Sequence, residues 1–89
     1  RLHFHSKIEF IGTLMEGILV VSPDGRIVGA NKSALDQLGV SGVALRNQTL
    51  EALFGLTPAQ VIDHFSRPMP TPLDLRLPDG HHFFGSARF

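Results

Sequence analysis

The sequence predicts an α+β fold built on an antiparallel sheet, and three observations carry that prediction. The tripeptide Pro-Asp-Gly occurs twice, at 23–25 and 78–80, and each copy separates two apolar or alternating segments, the mark of a β-hairpin. Between the hairpins, helix-capping residues and helix-stopping glycines recur at short intervals, so the intervening chain reads as a run of short helices. Strands paired locally, with helices gathered between them, point to α+β rather than to alternating βαβ units. With 89 residues and 9.7 kDa there is material for one core, hence one module.

The elements follow in order. Residues 1 to 6 read as a linker or the tail of a preceding domain, although Leu2 and Phe4 would share one face if the stretch were extended. Ile8, Ile11, Leu14 and Met15 then fall at helical spacing behind a Ser6/Glu9 capping-box pair, which predicts an amphipathic helix from about Lys7 to Glu16, ended by Gly17. Ile18 to Val21 is a continuous, largely β-branched run that turns through Pro23-Asp24-Gly25 into Arg26 to Ala30, the first hairpin. Asn31 sits where an N-cap belongs, ahead of a short helix over Lys32 to Leu38 with Gly39 in the stop position. Val40 to Gln48 reads as irregular, Thr49 to Phe54 as a single helical turn, and Thr57-Pro58-Ala59-Gln60 opens a third helix to about Phe65 that should bury Val61, Ile62 and Phe65. Pro68, Pro70 and Pro72 force an extended connector. Leu73, Leu75 and Leu77 alternate with polar residues as a half-buried strand, and His81 to Phe89 forms its hairpin partner.

Composition removes several functional classes. Lys plus Arg is 8 and Asp plus Glu is 8, so there is no charge excess to neutralise a phosphate backbone or an anionic lipid surface. Cysteine is absent, which excludes disulfides, thiolate nucleophiles and flavin-cysteine photochemistry. No stretch is apolar for long enough to span a bilayer, and no signal-peptide pattern is visible. The chain opens on Arg1 without an initiator Met, so the expectation is a cytoplasmic module from a longer protein.

The run Glu16-Gly17-Ile18-Leu19-Val20-Val21-Ser22-Pro23-Asp24-Gly25-Arg26-Ile27-Val28-Gly29-Ala30-Asn31-Lys32-Ser33-Ala34 resembles the signature of PAS sensory domains. More narrowly, Phe10 to Leu19 followed by Ser33-Ala34-Leu35-Asp36-Gln37-Leu38-Gly39 is similar to the PAS module of sigma-54-dependent, Fis-type activators related to the acetoin catabolism regulator. The resemblance covers about residues 7 to 89. It implies a PAS fold with a five-stranded sheet whose last strand is central, beside the first. It also implies a sensory role upstream of an ATPase and a helix-turn-helix. Only four strands can be placed here. The remaining pairing is left to truncation, to a different closure of the sheet, to a neighbouring chain or to the segment 1 to 5.

By that resemblance, a small-molecule cavity would lie between the sheet and the helices. Its walls would be Leu19, Val21, Val28 and Ala30 from the first hairpin, Ala34, Leu38, Leu53, Val61 and Phe65 from the helices, and Leu75 and Phe83 from the second hairpin. The alternative is that these side chains simply fill the core. The polar groups nearby, Asn47, Gln48, Thr49 and His64, are neutral, so a ligand would be apolar or weakly polar. Its identity, and that of any cofactor, is unknown from the sequence. His64 borders the apolar face of its helix and is the candidate axial ligand should the module be a haem sensor; the plainer reading is a half-solvated boundary histidine. His81 and His82 point to opposite faces of a strand, and His3 with His5 supplies only two ligands, so no metal site is predicted. No nucleophile arrangement or carboxylate pair suggests an enzyme. The stripe Ile8, Ile11, Leu14 and Met15 is the candidate homodimer surface, set against the plainer role of covering Val20 and Ile27.

Overall fold

The computed structural model describes residues 1–11 and 15–89. Five strands, β1 Leu2–His5, β2 Gly17–Val21, β3 Ile27–Ala30, β4 Leu73–Arg76 and β5 His82–Ala87, form one sheet in the order β3-β2-β1-β5-β4, with every pairing antiparallel. Four helices, α1 Lys32–Leu38, α2 Gly42–Leu45, α3 Leu50–Phe54 and α4 Pro58–Phe65, lie in chain order between the two hairpins.

The largest departure from the sequence reading is at the N-terminus. Residues 2–5, expected in a linker, are the central strand of the sheet. Leu2 pairs with Leu19 on one side and Ala87 on the other, and Phe4 with Gly17 and Gly85. The physical reason is that each hairpin alone leaves one edge of unpaired N–H and C=O groups facing the other hairpin. A strand inserted between them satisfies both edges at once. The four strands placed from sequence thus become five without a contribution from a second chain.

The helix predicted over Lys7 to Glu16 is also corrected. Among the described residues this segment holds a single 3-10 turn, Ile8–Phe10, and Gly17 opens β2 instead of ending a helix. Gly12, Thr13 and Leu14 of that prediction lie outside the described residues. A third correction is α2, which forms inside the stretch read as irregular because the Ser41 hydroxyl accepts from the Ala44 N–H at 3.2 Å.

Elsewhere local chemistry acts as the sequence implies. Asn31 caps α1, Thr49 caps α3, and Thr57 with Gln60 forms a reciprocal capping box on α4 with Pro58 in its first turn. Asn31 does more than cap. Its Oδ1 accepts from the N–H groups of Ala34 (2.8 Å) and Ile18 (2.9 Å), and its Nδ2 donates to the Glu16 carbonyl (3.1 Å). One side chain therefore fixes the start of β2 against the start of α1.

Both Pro-Asp-Gly turns close in the same way. Gly25 (φ 89°) and Gly80 (φ 93°) take left-handed backbone, and the Asp24 and Asp79 carboxylates accept from the N–H groups of Arg26 and His81. The Ser22 hydroxyl, first, and then the Arg26 N–H hold the Asp24 carboxyl below its ordinary 3.8. At Asp79 the His81 N–H, and then the His81 ring, have the same effect. A lowered folded-state pKa means that the unfolded chain takes up these protons first. The stabilisation is present above the unfolded value and is lost as pH falls through the folded one. Denaturant midpoints are expected to drop below about pH 4, and the Asp24→Asn/Asp79→Asn double variant should lose less over that window; equal acid limbs would count against the turns as the cause.

The core lies between the sheet and the helices. Phe4, Leu19, Ile27, Ala34 and Leu75 are wholly enclosed, and Phe4 meets Phe54 and Phe83 edge-to-face with ring centroids at 6.3 and 5.3 Å. Gly17 makes this packing feasible. A Cβ there would come within 2.7 Å of the Phe4 ring and 3.0 Å of the Ala34 Cα, so the glycine of the signature run serves close approach.

Candidate functional site

The predicted cavity walls divide into three groups. Leu19, Ala34, Leu38, Val61, Leu75 and Phe83 are buried in the contiguous core, where they pack against one another, and Val21, Leu53 and Phe65 pack on its margin. Val28 and Ala30 are exposed. For Val28 the reason is a register shift between Val20 and Val21: Val21 pairs with Ile27 while Val20 pairs with Gly29, so β3 carries one extra residue there. That residue turns Val28 outward, 53% exposed, and puts Ile27 into the core. Ile62, expected to be buried, is 50% exposed.

Open space lies at one end of the sheet instead of beneath its centre. A cleft of about 370 Å³ is lined by Leu2 of β1, Val21 at the end of β2 with Ser22 and Pro23 after it, Leu50 of α3, Pro58, Val61 and Ile62 of α4, and Ala87 at the end of β5, with Arg1, Arg88 and Phe89 beside them. Its volume falls within the range of small-molecule pockets. A neighbouring cleft of about 420 Å³ lies between Phe65, the proline connector at Pro70 to Pro72, Ile11 and the end of β5. Val21 and Val61 of the predicted set line the first cleft and Phe65 the second. Leu50, Pro58 and Ile62 were not assigned to a cavity from sequence, because period alone places residues on faces and says nothing of where a face ends.

Two of the polar candidates, His64 and Thr49, have side chains engaged elsewhere. His64 Nε2–H donates to the Thr71 carbonyl at 2.7 Å and ties α4 to the proline connector. Thr49 is spent as a cap, and Gln48 accepts the Ile27 N–H through its backbone at 3.1 Å. His81 pairs with Asp79 and His82 with Asp74. Among the described residues no three His, Asp or Glu side chains are grouped to hold a metal ion.

On the outer face of the sheet lies a pair that sequence reasoning did not single out. His3 Nδ1–H donates to Glu16 Oε1 at 2.5 Å, and both side chains are buried. His3 Nε2 is enclosed with no hydrogen-bond partner, which favours the tautomer with its proton on Nδ1, since an unpaired N–H would cost more there than a bare ring nitrogen. His5 lies on the same face, accepts the Lys7 N–H through Nδ1 at 3.0 Å and stacks edge-to-face on Phe10. The only sequence signal for the pair was the alternation of residues 2 to 5.

A five-stranded antiparallel sheet, an Asn cap bridging β2 and α1, and a run of short helices between hairpins are now in place. The model of the PAS fold matches residues 12–88. The chain belongs to the PAS-fold family. No curated protein and no solved structure matches it. In this PAS domain the family match begins after β1, so the strand at the centre of the sheet comes from residues that the match does not include. No helix among the described residues is long and apolar enough to cross a membrane.

Proposed function

We propose that this PAS domain is a signal-input and dimerisation module of a cytoplasmic sigma-54-dependent transcription activator. It would pass cleft occupancy or dimer packing to a downstream ATPase and DNA-binding output. The observation that supports the sensing role is the position of the 370 Å³ cleft, whose walls include both Arg1-Leu2 and Arg88-Phe89. A ligand there would touch the segment that enters β1 and the one that leaves β5, the first and last strands of the sheet in sequence. Its apolar walls suit an apolar or weakly polar molecule, and the domain carries no enzymatic role in this reading. For dimerisation, Met15 is 58% exposed and Ile11 is half-buried at the edge of the second cleft. Leu14 and the Ile8 side chain, the other members of the proposed contact, lie outside the described part. The tightly packed interior favours a second reading, a ligand-free dimerisation domain. A haem-binding sensor has no such support, because His64 Nε2 is already bonded to Thr71.

A thermal-shift screen with diverse small apolar and weakly polar compounds tests the sensing role. A ligand at about 100 times its Kd adds about 2.7 kcal/mol, which for a domain of this size raises Tm by roughly 10 °C or more. The shift should vanish in Ile62→Trp, which fills the cleft. Absence of any shift across the screen would leave the ligand-free reading in its place.

A further inference from the structure

We propose that β1 is an exchangeable strand, and that two copies of this chain dimerise by each placing residues 2–5 in the sheet of the other. This inference deepens the dimerisation reading above by naming what the second copy contributes.

The topology carries the argument. β1 is the first strand in sequence and the central one in space, and its ladders run to β2 and β5. Without it the sheet falls into two hairpins, each with an open edge, and a slot between them that accepts an antiparallel strand on both sides. The segment that fits this slot is alternating: Leu2 and Phe4 enter the core while His3 meets Glu16 on the other face. A second copy carries the same segment, so the exchanged strand would recover every contact, with His3 of one chain meeting Glu16 of the other. The connector, residues 6–16, could extend to roughly 36–40 Å, comparable with the 36 Å longest dimension of the domain. It is therefore long enough to reach a neighbouring molecule. Because the contacts in the closed and exchanged forms are the same, their balance is set by connector conformation and chain concentration.

The absence of cysteine allows a direct test. Arg1 and Arg88 are exposed and face each other at the end of the β1–β5 ladder, with Arg88 N–H donating to the Arg1 carbonyl at 2.8 Å. Directly opposed positions of this kind lie within disulfide reach. Chains carrying Arg1→Cys and chains carrying Arg88→Cys are mixed in denaturant, refolded together and oxidised, with Arg1→Cys plus Glu51→Cys chains as the collision control. Exchange predicts a covalent heterodimer several-fold above that control and rising with refolding concentration. The Arg1→Cys/Arg88→Cys double variant should likewise give two-chain species on a non-reducing gel. Heterodimer at the control level, with the double variant closing only on itself, would overturn the proposal. Sedimentation of the unmodified chain then separates the two failures: a dimer without cross-linking keeps dimerisation and removes exchange, whereas a monomer removes both.

Discussion

Phe4→Ala is expected to destabilise the domain by about 3–5 kcal/mol, a large share of the roughly 5–13 kcal/mol that holds a domain of this size folded. The Phe4 side chain is wholly enclosed, it is the hub of the Phe54 and Phe83 edge contacts, and its ring closes over Gly17. Truncation removes the ring's transfer free energy and leaves a cavity whose walls come from two hairpins and a helix, so no single element can move in to fill it. The strand carrying Phe4 is also what joins the hairpins, so lost packing there weakens both ladders together. Urea unfolding followed by circular dichroism measures the effect, with Phe4→Leu as a milder control. A loss below about 1 kcal/mol, the level of an ordinary surface substitution or less, would mean that residues 2–5 do not hold the centre of the sheet.

The second large effect is expected at the buried His3–Glu16 pair. Glu16→Ala leaves the neutral His3 ring enclosed with neither nitrogen bonded, and an unsatisfied buried N–H costs about 1–3 kcal/mol. Replacing both partners by residues of similar volume, His3→Leu with Glu16→Leu, should recover most of that loss, because the desolvation of both polar groups is removed along with their contact. The double-mutant cycle therefore predicts a strongly non-additive result. Additive losses would show that the two side chains act independently. Because the bond ties β1 to the residue preceding β2, amide exchange at Leu2 to His5 should quicken in Glu16→Ala more than exchange in α4.

Local chemistry was legible from residue types alone. Pro-Asp-Gly needs only a glycine able to take φ near 90° and a carboxylate able to reach the N–H two residues on, and both turns form as the sequence implies. The caps at Asn31, Thr49 and Thr57 are decided within four residues of chain. The core members Leu19, Ala34, Leu38, Val61, Leu75 and Phe83 were legible as well, since period assigns a residue to a face when the element is regular. The misassignments have nonlocal causes. Val28 turned outward because a single extra residue in β3 reverses parity, and Ile62 remained half open because α4 overhangs a cleft instead of a filled interior.

The sequence by itself determined the α+β class, the two hairpins and the PAS signature, because turns, caps and hydrophobic period are properties of neighbouring residues. Only the tertiary structure decided where residues 2–5 go, where the open space lies and that His3 meets Glu16. Each of these depends on two open sheet edges and a shared face meeting across stretches of chain far apart in sequence, and four alternating residues at a terminus carry no local mark that distinguishes a tail from a central strand.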